Sequence, residues 1–245
     1  MFSIVARPIL LLGISSKDED GKELTKNELN KVVMKVENHF YETIFYTTSA
    51  IVAWYIVKDE DWMPDYLGGK GHTINCLQDL PFVKYDRTLT TFAFVTFGFR
   101  IESLVSHVLL KERGNDFMEL LFHDIVTILL FVGYLYGNMM AWGTMIVIIH
   151  DLTDGPIHLS KGMYAMIFKD SAVVPFLLAQ LLWAYLRLYC FAKIIYELLQ
   201  GEYPEGREFF RPFLYMSAGF LCCLYALHWL WFLMFQRINL AVITK

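Results

Sequence analysis

The sequence predicts an all-α integral membrane protein, a multi-pass bundle of about six spans with an amphipathic helix in front. Of its 245 residues, 56% are hydrophobic, whereas soluble domains hold roughly 45–50% apolar residues. The apolar residues gather in segments of the length that crosses about 30 Å of hydrocarbon. Short connectors join these segments, which favours one bundle over separate domains. The formal net charge of −4 gives no basis for nucleic-acid binding, so we expect no nucleic-acid partner.

Residues 1–23 are predicted to form an interfacial N-terminal segment and a charged linker. The opening apolar run contains Arg7-Pro8 and is shorter than the roughly 20 residues that a span requires. Arg7 and Lys17 precede the first acidic residue, Asp18. This arrangement weakly resembles an organelle-targeting end, so a mitochondrial inner membrane stays open as a location.

An amphipathic surface helix is predicted over residues 24–39. Thr25 and Glu28 have the spacing of a capping box, which marks a helix start. A basic helix of this kind that leads into a span is expected to lie at the lipid headgroups. Its apolar side comprises Leu29, Val32, Val33, Val36 and Phe40.

The membrane domain is predicted over residues 40–237, followed by a tail at 238–245. A Gly-rich polar loop, from Lys58 to Arg87, follows the first span, and its Trp62, Tyr66 and Tyr85 are expected at the membrane interface. The Lys and Arg distribution places both termini on the cytosolic side, or on its equivalent in an organelle. The six spans are expected at about 40–57, 89–110, 118–136, 139–149, 172–199 and 213–235.

Two of the apolar segments each carry a His-Asp pair, and the second pair opens a polar run. Ionisable residues in membrane-length apolar sequence are costly, so they usually face a protein interior and mark a functional site. On a helix, residues four apart lie on one face, which aligns His150, Asp154 and His158. The candidate residues are His123, Asp124, His150, Asp151, Asp154, His158 and Lys161.

A metal site is the alternative interpretation of these side chains. Histidine and carboxylate groups bind transition metals, but the many-histidine clusters of membrane hydroxylases and desaturases are absent from the sequence. The four cysteines have no metal-ligand spacing. We therefore expect no metal and no bound cofactor. His107 and His228, taken singly, are expected to be interior histidines.

Three stretches resemble the TLC-domain family, specifically the ceramide synthases. The chain offers FHDIVTILL at 122–130, NMMAWGT at 138–144 and HDLTDGPIHLSK at 150–161. The family pattern is a His-His pair, then N-x-x-R-x-G, then H-D-x-x-D-x-x-L-E-x-x-K. With flanking likenesses, the resemblance covers about residues 31–237. The matching positions are His123, Asn138, Gly143, His150, Asp151, Asp154 and Lys161, joined by Arg187 and His228 in the last two spans.

The resemblance implies a sphingoid-base N-acyltransferase of the endoplasmic reticulum, with acyl-CoA as co-substrate. In such an enzyme, His123 and His150 would supply the imidazoles, because a His pKa lies near working pH. Asp151 and Asp154 would orient those imidazoles.

The departures from the family pattern affect three parts of that site. Asp124 stands where the family has its second His, Ala141 replaces the motif Arg, and His158 replaces the motif Glu. Pro156 also interrupts the motif helix, and proline removes one helical hydrogen bond, which predicts a kink.

Two functions therefore remain. The departures favour a catalytically silent protein that binds membrane lipids or serves as a structural subunit beside other membrane proteins. The alternative is an active N-acyltransferase that moves an acyl group from acyl-CoA to a long-chain amine.

Overall fold

The computed structural model describes residues 7, 11, 13–15, 22–110, 117–201 and 208–243. Most of the predicted N-terminal segment and the end of the C-terminal tail lie outside the described residues. The chain divides into two compact units. Unit 1 comprises Met1–Ala50 and His150–Trp183, and unit 2 comprises Ile51–Ile149 and Ala184–Lys245.

Six helices form the described part of the chain, which confirms the all-α prediction. Short 3₁₀ turns are the other regular elements of its loops. The helices are α1 (Lys26–Val57), α2 (Arg87–Leu110), α3 (Phe117–Tyr136), α4 (Met140–Tyr164), α5 (Asp170–Gln200) and α6 (Arg211–Ile243).

Four helices, α2, α3, α5 and α6, are long and apolar enough to cross a membrane. They correspond to four of the predicted spans and confirm an integral membrane protein. α1 and α4 each join an apolar half to a charged half in one continuous helix of 32 and 25 residues. The total of six spans stays a prediction.

The start of α1 confirms the predicted capping box. The Thr25 backbone N–H donates to Glu28 Oε2 at 2.8 Å, and the Thr25 hydroxyl donates to the same oxygen at 2.7 Å. In return, the Glu28 N–H donates to Thr25 Oγ1 at 3.4 Å. These bonds to Thr25 lower the pKa of the Glu28 carboxyl, because they favour its charged form.

The apolar side of α1 is covered by protein within unit 1. Val33 and Val36 are buried, and Val36 packs with Met166, Ile14 and Phe40. The sequence placed this face at the headgroups. Of the residues that pack there, Met166 and Ile14 are distant from Val36 in the chain, and local periodicity does not identify such partners.

Two glycines let α1 and α4 approach closely within unit 1. A Cβ at Gly155 would lie 2.6 Å from Thr47 Oγ1, and one at Gly162 would lie 3.1 Å from a Phe40 ring carbon. His158 lies between these glycines on the same helical face. That face is therefore turned towards α1. Pro156 is accommodated inside α4, which continues to Tyr164, and the size of the bend stays a prediction.

In unit 2, α3 packs against α2 and α6, and the C-terminal part of α5 packs against α6. One face of α3 bears exposed apolar side chains three or four residues apart, as a lipid-facing stripe requires. Phe122, Ile125, Leu129 and Val132 are each 44–48% exposed.

The Gly-rich loop after α1 is a compact substructure of unit 2. Gly71 has no room for a side chain, because a Cβ there would overlap the carbonyl of Asp61. The Trp54 indole donates to the Leu67 carbonyl at 3.2 Å. Trp62 is only 7% exposed, so it packs inside the protein, and its position at the membrane interface stays a prediction.

Candidate functional site

The acid that stands at the second histidine position of the motif joins two helices of unit 2. Asp124 on α3 lies 2.7 Å from Nδ1 of His107 on α2. The His107 side chain is 3% exposed and Asp124 is 22% exposed. The Phe117 ring packs edge-on against His107 at 4.9 Å. His107 was expected to be an interior histidine, and the structure shows it buried with Asp124 as its partner.

The first motif histidine belongs to an aromatic cluster in unit 2. The His123 ring meets the Trp231 ring edge-on at 5.3 Å. His228, which is fully buried, lies 6.5 Å from Trp231 and 5.0 Å from Phe191. The structure thus brings His123 and His228 to the same indole ring of α6.

The motif asparagine forms the connection between α3 and α4. Asn138 has a φ of 53°, a left-handed conformation that asparagine tolerates better than most residues. Its Nδ2 donates to the carbonyls of Pro81 and Val83 at 2.8 and 2.7 Å. The Tyr85 hydroxyl donates to the Asn138 carbonyl at 3.2 Å. Asn138 therefore fixes the end of the Gly-rich loop.

The neighbouring motif positions serve packing. A Cβ at Gly143 would lie 2.6 Å from the Tyr134 ring, so the glycine allows α3 and α4 to meet. Ala141 is 1% exposed, and its N–H donates to the Tyr85 hydroxyl at 3.4 Å.

Arg187 is 2% exposed and lies in a π-helical segment of α5, Trp183–Cys190. Such wide turns are frequent at functional sites.

The predicted stripe on α4 becomes more exposed along its length. His150 is 7% exposed and Asp151 is fully buried, whereas Asp154 is half-buried and Lys161 is exposed. The burial of Asp151 agrees with the expectation that these acids avoid lipid. The exposure of Lys161 departs from the expectation that it faces a polar interior.

At the middle of the stripe, His158 contacts two side chains of α1. Its Nδ1 lies 2.6 Å from Glu42 Oε2 and 3.3 Å from His39 Nδ1. His39 Nδ1 lies 3.5 Å from the same Glu42 oxygen. The Tyr46 ring packs against His158 at 5.3 Å. His158 stands where the family pattern has a glutamate, and Glu42 of α1 thus brings a carboxylate next to that position.

His39, Glu42 and His158 also lie close enough together to share a metal ion. Among the described residues, they are the group of His, Cys, Asp or Glu side chains whose potential ligand atoms all lie within 4.8 Å of one another. The sequence reasoning singled out neither His39 nor Glu42 as a site residue. Their spacing, one helical turn apart before an apolar segment, was the available signal.

The predicted catalytic residues divide between the two units. His123 belongs to unit 2, whereas His150, Asp151 and Asp154 belong to unit 1. The structure brings His158 together with α1, and it brings Asp124 together with α2. The roles of the four catalytic candidates stay predictions.

The polar groups of the Gly-rich loop are structural. The Tyr66 hydroxyl donates to Glu197 at 2.8 Å and lies 2.8 Å from Thr73 Oγ1. Burial raises the pKa of Tyr66, of Tyr85 and of the Cys76 thiol above their usual values. These groups therefore stay protonated near neutral pH and supply no nucleophile.

Comparison with known families decides the assignment. The family profile described as the TLC domain matches residues 35–237, nearly all of the described helices. The chain belongs to the TLC-domain family. The resemblance stated from the motifs is thereby confirmed.

The relatives of this TLC-domain chain are ceramide synthases and ASC1-like proteins. It is 25% identical over 236 residues to the ceramide synthase LOH1 of Arabidopsis thaliana, covering 91% of this chain and 72% of that protein. It is 24% identical over 229 residues to an ASC1-like protein of Solanum lycopersicum, covering 89% and 73%. Human ceramide synthase 4 is 22% identical over 231 residues, covering 94% and 54%. The TLC-domain chain is thus a ceramide-synthase-like membrane protein.

Proposed function

We propose that this ceramide-synthase-like protein has lost N-acyltransferase chemistry and serves as a lipid-binding or structural subunit of a membrane complex. The observation that carries the proposal is the 2.7 Å contact between Asp124 and His107. In the family pattern the residue after His123 is a second imidazole. Here it is a carboxylate that joins α3 to α2.

The chemistry of acyl transfer explains why this exchange is costly. An amine that attacks a thioester must lose a proton, and a base with a pKa near working pH removes it. A carboxylate is a weaker base than an imidazole, and Asp124 is already engaged by His107. Loss of one positioned proton-transfer group typically costs roughly 10²–10⁴ in rate.

The position of the motif arginine supports the same conclusion. Ala141 is buried, and its backbone is bonded to Tyr85. The methyl group supplies no cation to hold an anionic donor such as acyl-CoA. Substrate binding by charge at this position is therefore lost together with the second imidazole.

An open groove in unit 2 supports lipid binding. It has a volume of about 530 Å³ and is lined by Val52, Ile56, Phe92 and Val95, with Arg87 at the start of α2. An apolar channel with one cation suits an acyl chain with an anionic headgroup. Its described lining residues all lie outside the motif stretch, so lipid can bind there without any acyl-transfer chemistry.

An active N-acyltransferase is the second candidate, and one observation favours it. His123, His150, Asp151 and Asp154 are all present, and His150 and Asp151 are buried, as a dry catalytic site requires. In this case acyl-CoA would be the co-substrate and no bound cofactor would be needed.

The proposed location follows from the family and from charge. We place the protein in the endoplasmic reticulum by its resemblance, with the mitochondrial inner membrane as the alternative, and both termini on the cytosolic or equivalent side. Cysteine-accessibility labelling should place the loop at 58–86 opposite to both termini. Labelling of that loop from the same side as Lys245 would contradict this topology.

Native mass spectrometry of the protein, extracted mildly from its own membrane, tests the proposed role. We expect stoichiometric partner subunits or retained lipid. Arg87→Ala should reduce retained anionic lipid, while Lys84→Ala, a matched exposed cation in the nearby loop, should leave it unchanged. A monomer without lipid or partners would contradict the proposal.

A further inference from the structure

His39, Glu42 and His158 bring three potential metal-ligand atoms together between α1 and α4 of unit 1. All three side chains are partly buried, at 15–17% exposure, so an ion can enter from solvent while the site stays partly dry. We propose that these three side chains bind a divalent transition metal of the zinc class, linking α1 to α4.

The spacing of the atoms is the first argument. Zinc–nitrogen bonds of 2.0–2.1 Å in a tetrahedral site set neighbouring ligand atoms roughly 3.3 Å apart. His39 Nδ1 lies 3.3 Å from His158 Nδ1 and 3.5 Å from Glu42 Oε2, which agrees with this requirement. The 2.6 Å between His158 and Glu42 would have to open by about 0.7 Å to reach the same spacing.

A common metal position also exists without any movement of the helices. The circle through the three atoms has a radius of about 1.8 Å. An ion at zinc bonding distance from all three therefore lies roughly 0.9 Å out of their plane. The fourth coordination position would take a water, as in zinc sites with three protein ligands.

Hydrogen bonding alone accounts less well for the arrangement. Both rings turn the same nitrogen, Nδ1, towards one carboxylate oxygen. If Nδ1 of His158 carries a proton, it can donate to Glu42 Oε2 at 2.6 Å. The Nδ1 atoms of His39 and His158 then still face each other at 3.3 Å. A cation is attracted by all three atoms at once, because each offers a lone pair.

The local sequence of both helices holds the site in place. His39 and Glu42 are three residues apart, so they share one face of α1. Gly155 and Gly162 flank His158 and allow α1 to approach. The contact joins residues 119 positions apart in the chain. A metal here would therefore tie the first helix to the motif helix, whether or not the protein is an enzyme.

The ligand types select the metal. Two imidazoles and one carboxylate suit zinc, cobalt or nickel, whereas calcium and magnesium prefer oxygen ligands. Lys161 lies close enough to act electrostatically on His39, and its positive charge opposes a bound cation. Replacing Lys161 should leave metal binding intact or tighten it.

The test uses full-length protein in detergent, purified through a histidine-free tag, stripped with a chelator and reloaded with Co²⁺ or Zn²⁺. We expect one metal per chain, the visible absorption of tetrahedral cobalt, and a higher melting temperature with metal than without. His39→Ala, His158→Ala and Glu42→Gln should each weaken binding by more than the roughly 10–100-fold typical of second-sphere losses.

Matched controls separate this site from adventitious binding. His72→Ala and Glu102→Gln, both at exposed positions, should bind metal as the wild type does, and Lys161→Gln should bind it at least as tightly. Glu42→Gln preserves shape and keeps the assay informative if an alanine variant fails to fold. The proposal is overturned if folded wild type takes up no metal, or if folded His158→Ala or Glu42→Gln keeps it with unchanged affinity.

Discussion

The helices α3 and α4 carry the same His-Asp dipeptide in different surroundings. On α3, His123 and Asp124 are half-buried, and Asp124 binds a histidine of α2. On α4, His150 is 7% exposed and Asp151 is fully buried. The same dipeptide therefore has two environments. On α3 its aspartate joins α3 to α2, and on α4 the whole pair lies in the protein interior.

The two helices also differ on their remaining faces. α3 exposes an apolar stripe that includes Phe122 and Leu129, as a lipid-facing helix does. On α4, Ile149, which corresponds to Phe122, and the nearby Met145 are fully buried. Because α4 is covered on more sides, substitutions in its His-Asp pair should be more disruptive than those on α3.

The largest effect is expected at the pair of α4. His150→Ala removes a buried ring and should cost about 2–5 kcal/mol, the range for large-to-small changes in cores. Thermal unfolding in detergent measures the loss. His72→Ala, at an exposed loop position, should stay within about 0.5 kcal/mol of wild type. Equal melting temperatures for both variants would show that the α4 pair is not an interior element.

A smaller effect is expected at the pair of α3. Asp124→Asn removes the charge facing His107 and should cost about 1–3 kcal/mol, because His107 stays buried. A double-mutant cycle with His107→Ala isolates the coupling, which should be at least about 0.5 kcal/mol. Glu119→Gln, on the same helix, should show no coupling to His107. Additive losses at positions 107 and 124 would argue against the contact.

The sequence predicted the elements of this comparison better than their partners. Apolar length identified α3, and the capping box of Thr25 and Glu28 located the start of α1. Both are local signals. His107 and Asp124 are on different helices, and His39 meets His158 across 119 positions. Such contacts depend on which faces of the helices pack together, and this packing cannot be read from a single sequence.

The connection between α3 and α4 should respond moderately. Asn138→Ala loses two side-chain hydrogen bonds and the tolerance for positive φ, at about 1–3 kcal/mol. Asn138→Gly restores the backbone freedom while it still lacks the bonds to Pro81 and Val83. We expect the glycine variant to unfold between alanine and wild type. A glycine variant as unstable as the alanine one would assign the whole effect to the hydrogen bonds.

The smallest effect is expected at the start of α1, the helix that packs on α4. The folded-state pKa of Glu28 is lowered by its bonds to Thr25. Its contribution is therefore fully present above the unfolded-state pKa and is lost as the pH falls through the lowered folded-state pKa. Glu28→Gln should remove this acid-range dependence from the unfolding curve. Lys26→Gln, a neighbouring exposed change, should preserve it.

We propose that this ceramide-synthase-like protein no longer catalyses acyl transfer. Purified protein should be incubated with a long-chain base and acyl-CoA, and amide formation followed by mass spectrometry beside a relative with the complete motif. We expect wild type to match His150→Ala and to fall roughly 10²–10⁴-fold or more below that relative. Robust amide formation by wild type, abolished by His150→Ala or His123→Ala, would contradict the account and make the protein an N-acyltransferase.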